Sequence, residues 1–400
     1  MTNKSYHHSP LQFVATLWLL LCSAAFLAYS IANPIAEWDM LAYAASADAM
    51  EGTSSEEVHS RVYAELKDRI SAEEFEAISA GNHYRKVMYE DVEAFHEQLP
   101  YYSIRVTYNA LLAKLTSFGL SVYDAGHWVT ASAFVLMLLI LSGSLNDRIH
   151  PVLQMFIPLA FFKYTMELDV VRQMLADSLS SVWVVFICIA YLRESRLLLP
   201  VIALSVFVRV DLFVFSGLLL MLLLFTSDRK QYPSIFACGV ALVLSFLFVQ
   251  NWAGSYGWKT LFYFAIISDM IATHPSEYGS IGFTLGEYLN SLVDQPGRWI
   301  SSMYAVTAGC SIFALIIWQS ATLGEYNRRV CRISAVCLLY IALHYLIFPQ
   351  MYLRFFVAQN MIIFAGFSIL CTHYWYAYVG DRRRSVRLPG KRQADRLHSL

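Results

Sequence analysis

The chain has 400 residues, of which 57% are hydrophobic and only 15% are charged, with a formal net charge of −1. In soluble domains about a quarter of the residues are charged, so this composition excludes disordered and collagen-like chains and most soluble enzymes. The mean hydropathy of +0.47 predicts a polytopic membrane protein, and no basic region typical of a nucleic-acid-binding surface is present.

Apolar runs long enough to cross a hydrocarbon core follow one another along the chain. The first, 11–32, is long for a secretion signal and is followed by many more, so we expect an uncleaved anchor. The run 197–226 is too long for one ordinary helix and carries Arg209 and Asp211 in its middle, which predicts two short halves that meet at a charged elbow. The other predicted spans are 127–145, 149–163, 176–192, 233–250, 301–319, 332–348 and 353–372. The fold class is therefore an all-α polytopic membrane protein, a single membrane domain over 1–400 with about ten transmembrane helices.

Lysine and arginine residues mark one side of this predicted topology. With the N-terminus inside, each short inner connection holds basic residues, as the positive-inside rule requires. These residues are Arg148, Arg193, Arg196, Arg229, Lys230, Arg328, Arg329 and Arg332. An even number of crossings brings the basic tail, 380–400, to the same side. We therefore expect both termini in the cytoplasm.

Two long segments are left on the extracytoplasmic side. The first, 33–126, has fifteen acidic against five basic residues over 33–103, a balance opposite to that of the inner connections. Its Ser71-Ala72-Glu73-Glu74 run is typical of a helix that starts with a capping box. Its part 104–120 has the apolar stripe of an amphipathic helix, so we expect a large helical loop with interfacial helices. The second outer segment, 251–300, contains a similar stretch that is rich in aromatic residues.

An aspartate follows the first span closely. Asp39 and Tyr43 are four residues apart, so a helix that begins here presents a carboxylate and a phenol on one face. The carboxylate then lies at the level of the membrane surface, where it can accept a proton from a hydroxyl group. The alternative is structural, because aspartate is a favoured N-cap residue and Asp39 stands where a helix starts.

The layout resembles the opening of the GT-C type of integral membrane glycosyltransferase. The resemblance rests on one span, an aspartate at its outer end in an Asp-x-x-x-Tyr-x-x-x-Ala setting, and a long outer loop with interfacial helices. It continues at the runs Tyr-Tyr-Ser-Ile-Arg (101–105) and Phe-Gly-Leu-Ser (118–121), at the paired half-spans around 209–211, and at Tyr-Leu-Arg-Phe (352–355). It is a resemblance of layout over most of the chain, carried by short motifs.

The resemblance implies an inverting transfer of a sugar from a polyprenyl-phosphate-linked donor to a lipid or glycan acceptor. Asp39 is the position that matches the general base of the family. The expected place of reaction is the outer face of a bacterial inner membrane, among membrane lipids and without nucleic acid. The chemistry of the residues agrees, since the acceptor hydroxyl must lose its proton as it attacks and the phosphate leaves as an anion.

The leaving phosphate needs cations at membrane depth, and guanidinium groups suit it because they offer parallel donors and keep their charge. The candidate cations are Arg354 at the start of the last span, Arg209 at the elbow, and Arg172 or Lys163 in the link 163–177. Arg354 has an alternative role as an interfacial anchor. The other two arginines have acids close by in sequence as alternative partners, which are Asp211 for the elbow residue and Glu167, Asp169 or Asp177 for the link residue.

Further residues are candidates for substrate contacts. They are Glu37, Tyr43, Tyr102, Arg105 and His344. Glu37 can assist Asp39 or hold a divalent cation with it, Mg²⁺ or Mn²⁺, but one pair of carboxylates does not define a metal site and no metal ligand is assigned. For His344, near the outer end of its span, the alternative is a hydrogen bond between helices.

Two other function classes share some of these features. A polysaccharide polymerase or ligase also uses a lipid-linked substrate, but its large outer loop usually comes late in the chain. A transporter or flippase for a lipid-linked glycan is expected to show internal repeats and ionisable residues at mid-span. The sequence has no evident repeat, and its charges lie mostly near the predicted outer ends, which favours the glycosyltransferase.

Overall fold

The computed structural model describes residues 10–167, 169–268, 272–278, 282–294, 324–349 and 352–387. Over these residues the chain is helical and contains no β-strand. The first part of the chain forms α1 (Pro10–Ala32), α2 (Trp38–Ala49), α3 (Ser55–Lys67), α4 (Ala72–Ala80), α5 (His83–Glu90), α6 (Val92–Gln98), α7 (Pro100–Ser103) and α8 (Val106–Ser117). The rest forms α9 (Val122–Ser144), α10 (Pro151–Glu167), α11 (Asp177–Leu192), α12 (Leu198–Val208), α13 (Leu212–Thr226), α14 (Tyr232–Trp252), α15 (Gly257–Phe262), α16 (Pro275–Tyr278), α17 (Leu285–Asp294), α18 (Glu325–Ile347) and α19 (Val357–Arg387).

Helices able to cross a membrane make up much of the second part. In the described residues five helices are long and apolar enough, by length and composition: Pro10–Ala32, Val122–Ser144, Arg229–Trp252, Glu325–Ile347 and Arg354–Tyr376. Shorter apolar helices occupy three more predicted spans, as α11, α12 and α13. The all-helical membrane class is thus confirmed, whereas the full set of ten crossings stays a prediction, and the predicted span 301–319 lies outside the described residues.

The charged elbow predicted inside 197–226 is a real break in the helix. α12 ends at Val208, Arg209 has an extended backbone, and α13 begins at Leu212. The two helices have 11 and 15 residues, or about 17 and 23 Å of length, so each is shorter than a hydrocarbon core of about 30 Å. The break therefore places the charged side chains of Arg209 and Asp211 between the C-terminal end of α12 and the N-terminal end of α13.

The helices α2 to α8 form a layer with its own core. Its fully buried side chains include Leu41, Val62, Phe95 and Leu112. Ser71 and Glu74 form the capping box that the sequence predicts at the start of α4. The predicted amphipathic segment 104–120 is α8, which packs on α2 and α9. The segment is helical, and its assignment to an extracytoplasmic loop with interfacial helices stays a prediction.

The apolar helices pack around α11. This helix contacts α9, α12, α18 and α19, and its side chains belong to one continuous buried cluster. At its C-terminal end Arg329 pairs with Glu194, and the guanidinium of Arg148 lies 4.4 Å from the ring centre of Tyr326. The ends of α9, α11 and α18 that the sequence assigns to one side of the membrane therefore meet in the structure.

The last helix is longer than its predicted span. α19 continues from Val357 to Arg387, past the expected end at 372 and into the segment predicted as a basic tail, 380–400. The helical pattern continues because neither proline nor glycine interrupts the polar sequence 381–387. Residues 388–400 lie outside the described part.

Candidate functional site

Asp39 lies in the first turn of α2 and does not cap it. The N-cap residue is Glu37, which makes no side-chain cap hydrogen bond. The two carboxylate oxygens of Asp39 serve other residues: the Tyr102 hydroxyl donates to Oδ1 at 2.9 Å, and Arg354 Nη2 donates to Oδ2 at 2.8 Å. The side chain keeps 25% of its surface exposed. The carboxylate is therefore held by partners from distant parts of the chain and still faces open space.

Arg354 links this carboxylate to a second one. It lies on the 3₁₀ turn Leu353–Phe356, which leads into α19. Its Nε is 3.6 Å from Asp177 Oδ2, and its guanidinium lies 5.6 Å from the ring centre of Phe355. Arg354 is 315 residues from Asp39 in sequence. The predicted phosphate-binding arginine thus stands between two acids.

Asp39, Tyr102 and Arg354 form the first part of a polar network. Asp177 and Arg209 extend this network into the apolar helices. Asp177 is the first residue of α11 and is only 4% exposed. Its Oδ1 accepts a hydrogen bond from Arg209, whose Nε lies 2.8 Å from Asp211 Oδ1. The pairing of Arg209 with Asp211, which the sequence leaves as an alternative, is therefore present, and Asp177 is a second partner.

The far end of the network lies on α18. The Tyr340 hydroxyl donates to Asp211 Oδ2 at 2.9 Å, and His344 Nε2 is 3.6 Å from the same oxygen. Both residues are buried, and the His344 ring packs edge-on against Phe356 at 5.0 Å. His344 joins the site through Asp211 and not through Asp39.

Arg105 stands beside the network without entering it. Its Nη1 donates to the backbone carbonyl of Tyr101, and its guanidinium lies over the rings of Tyr43 and Tyr102, at 5.9 and 5.6 Å. These two rings contact each other edge-on at 5.1 Å. Among the residues that the structure describes, Arg105 forms no ion pair within 4 Å, although its charge acts on Asp39.

Two more predicted site residues, Arg172 and Glu37, lie outside the network. Arg172 pairs with Asp169 at 3.0 Å and donates from Nε to the carbonyl of Asn33 at 2.7 Å, which ties the link before α11 to the end of α1. Its expected alternative partner is thus found, and it does not contact Asp177. Glu37 is half-buried, and burial followed by the charge of Asp39 raises the pKa of its carboxyl group.

The protonation states near Asp39 follow from these contacts. Burial of the Asp39 carboxylate raises its pKa, but the charge of Arg354 and the hydrogen bond from Tyr102 lower it by more, so that the pKa lies below its ordinary value. Burial and then the negative charge of Asp39 raise the pKa of Tyr102 well above its ordinary value. At neutral pH Asp39 is therefore an acceptor and Tyr102 a donor.

The charges of the network and its neighbour are balanced. Three carboxylates, on Asp39, Asp177 and Asp211, face three guanidinium groups, on Arg105, Arg209 and Arg354. Burying so many charges costs free energy by desolvation, so such clusters are candidates for function. A narrow crevice borders two of these groups, and its lining includes Arg209, Asp211, Tyr340, Phe355 and Gln359.

Sequence reasoning missed two members of this network. Asp177 is assigned only as a possible partner of Arg172, and Tyr340 is not singled out at all. Tyr340 and His344 are one helical turn apart and therefore lie on the same face of a helix. Because His344 is a candidate site residue, this spacing could have identified Tyr340 as a second one. The signal for Asp177 was its place as the only charged residue at the start of an apolar helix.

The described residues offer no ligand set for a metal ion. No group of three or more His, Cys, Asp and Glu side chains with suitable geometry occurs among them. In the pair that the sequence offers for Mg²⁺ or Mn²⁺, each oxygen of Asp39 already accepts one hydrogen bond, from Tyr102 and from Arg354.

The fold and the site define a helical protein with helices able to cross a membrane and a buried network of carboxylates and guanidinium groups where several helix ends meet. The chain matches no family model, and the comparisons with curated proteins and with solved structures also give no match.

Proposed function

We propose that the protein is a GT-C-type membrane glycosyltransferase, which transfers a sugar from a polyprenyl-phosphate-linked donor to a lipid or glycan acceptor. The proposed place is the extracytoplasmic face of a bacterial inner membrane, and the product belongs to the cell envelope. One observation carries the proposal: the carboxylate after the first span lies 2.8 Å from the guanidinium of Arg354 at the start of the last one. A base and a phosphate-binding group are thus neighbours.

The proposed reaction uses Asp39 as the general base. The acceptor hydroxyl gives its proton to the carboxylate as its oxygen attacks the anomeric carbon. The bond between that carbon and the phosphate oxygen breaks, its electron pair leaves with the polyprenyl phosphate, and the anomeric centre is inverted. A carboxylate that is ionised at neutral pH and partly exposed is suited to accept this proton.

The guanidinium groups serve the phosphate. Arg105 holds no carboxylate among the described residues and is therefore the first contact proposed for an entering anion. Arg354 and Arg209 already bind acids, so a phosphate has to compete with Asp39 and Asp177 for their donors. Such competition moves positive charge from Asp39 to the donor, which makes the carboxylate a stronger base once the donor is bound.

Substitution of Asp39 by asparagine tests the proposal. Asparagine keeps the volume and an oxygen for Tyr102 but cannot take up the proton. We expect the variant to insert, to purify and to bind a polyprenyl phosphate, while transfer falls by at least about a hundredfold. The first measurement is the mass profile of cell-surface glycans in a deletion strain that carries either form. The sugar that is lost then names the donor for a purified assay.

Asp48→Asn is the matched control. Asp48 is 6% exposed and pairs with Arg61 at 2.7 Å within the layer of α2 and α3, away from the network. This variant breaks a comparable ion pair and should restore the glycan profile. Transfer by Asp39→Asn within a few-fold of the wild-type rate would remove Asp39 from the mechanism. Identical glycans with and without the protein would contradict the proposed activity itself.

A further inference from the structure

Asp177 joins the two arginines of the network. It starts α11, and its two oxygens face different partners: Oδ1 accepts from Arg209, and Oδ2 lies 3.6 Å from Arg354 Nε. The arginines come from the elbow between α12 and α13 and from the turn before α19. One buried carboxylate thus connects three parts of the fold.

The arrangement of charges shows what Asp177 does for its neighbours. Both guanidinium groups lie over the same ring, that of Phe355, at 4.3 Å for Arg209 and 5.6 Å for Arg354. Without a negative charge at Asp177 these two cations would repel each other at close range. Among the described residues, Asp39 would then be the only carboxylate within 4 Å of Arg354, because the contact with Asp177 would be lost.

We infer that Asp177 is a positioning residue, which keeps the charge of Arg354 shared so that Asp39 can take up a proton. When Asp39 becomes neutral, the guanidinium of Arg354 still has Asp177 as a counter-ion and can stay in place. The cost of protonating Asp39 is therefore lower than it would be in an exclusive ion pair. The catalytic consequence rests on the proposed function, whereas the effect on Asp39 itself does not.

Charged and titratable groups from several helices face both carboxylates. Asp39 is faced by Glu37, Tyr43, Tyr84, Tyr102, Arg105 and Arg354. Asp177 is faced by Tyr43, Tyr108, Arg209, Tyr340, His344 and Arg354. Tyr43 and Arg354 are common to both sets, and Arg354 makes the only ion pairs that connect the two carboxylates in the described part of the chain.

Two substitutions should move the pKa of Asp39 in opposite directions. Asp177→Asn removes a negative charge, and Arg354 then pairs with Asp39 alone. The pKa of Asp39 should therefore fall by about one unit. Arg209→Gln removes a positive charge, and Asp177 then pairs with Arg354 alone. The pKa of Asp39 should therefore rise. The measurement is a pH titration of the infrared carboxylic-acid band that the wild-type protein shows and Asp39→Asn lacks. It needs purified protein and no substrate.

Asp48→Asn is again the control and should leave the titration of Asp39 unchanged. An unchanged pKa of Asp39, within about 0.3 units, in whichever of the two variants accumulates would overturn the inference. A purely structural role for Asp177 predicts that result, since it would affect the amount of folded protein alone. Asp177→Glu, which keeps the charge, should bring the pKa back toward the wild-type value.

Kinetics separate this inference from the proposed function. If the protein transfers sugar, the acid limb of the pH profile of kcat should move down with Asp177→Asn, by about the same one unit as the pKa. At the same time kcat should fall several-fold while KM for the anionic donor does not rise. A shifted infrared titration in a protein without transferase activity would support the role of Asp177 and contradict the proposed function.

Discussion

Arg354 faces two carboxylates with two nitrogens of one guanidinium group: Nη2 donates to Asp39 at 2.8 Å, and Nε forms a looser ion pair with Asp177 at 3.6 Å. This division of contacts needs the planar, forked shape of arginine, because a lysine ammonium is a single point of charge. Lysine at this position can still anchor the turn and keep the charge. The substitution therefore separates a forked contact from a simple anchor.

We expect Arg354→Lys to lower kcat/KM for the lipid-linked donor by at least about tenfold, with little change in the yield of folded protein. The measurement is donor-dependent transfer by purified protein. Arg69→Lys is the control, because Arg69 also forms a forked contact, with both oxygens of Asp124 at 2.8 and 2.7 Å, at a distance from the network. Equal activities of the two lysine variants would show that the fork of Arg354 is dispensable.

At the scale of the helices, α18 and α19 bring Tyr340 and the turn of Arg354 together. Their packing depends on a small residue, since a Cβ atom added at Gly366 would lie 2.8 Å from Ser334 Oγ and 3.2 Å from Val330 Cγ1. Small residues allow such close approach between helices in membranes. The site therefore depends on a helix contact about three turns away from it.

Gly366→Ala should destabilise the protein by about 1 kcal/mol, because the crowding of Ser334 and Val330 outweighs the gain in helix propensity. Gly217→Ala in α13 is the matched control, since its added Cβ would meet no atom within 4 Å. That variant should be unchanged or slightly more stable. The check is thermal unfolding in detergent, and equal midpoints for both variants would refute the close contact.

At the scale of the whole molecule, the helix ends that contact one another form two separate groups. The polar network joins α2, the start of α11, the elbow and the end of α18. The opposite group contains Arg329 with Glu194. The positive-inside rule assigns this second group to the cytoplasm. On that assignment the network faces outward, which is the side that we propose for the transfer of the sugar.

Thiol labelling in intact cells tests this orientation. In a protein without native cysteines, Glu56→Cys should react with an impermeant reagent and Arg196→Cys should not, because the two exposed positions lie on opposite sides of the predicted membrane. Permeabilised cells should label both variants, which controls for access. Labelling of Arg196→Cys alone would reverse the topology. The six described native cysteines form no disulfide, so their replacement breaks no covalent bond.

Local patterns in the sequence determined the helical class, several helix boundaries and most of the charged candidate residues. Composition and apolar runs predict an all-helical membrane chain, charges inside 197–226 predict the break at Arg209, and Ser71 with Glu74 predicts a capping box. Asp39, Arg354 and Arg209 stand out because charges beside apolar runs are costly. Each of these signals lies within a few residues of the feature that it predicts, so no knowledge of distant contacts is needed.

Only the tertiary structure decided which of these charges meet. It brings Asp39 to a residue 315 positions away, adds Asp177 and Tyr340, and leaves Arg172 with its near neighbour Asp169. Helix periodicity indicates which face a side chain occupies, but the partner of that face depends on how the helices pack. A buried charge takes the opposite charge that this packing places within reach, because leaving it unpaired would cost several kcal/mol.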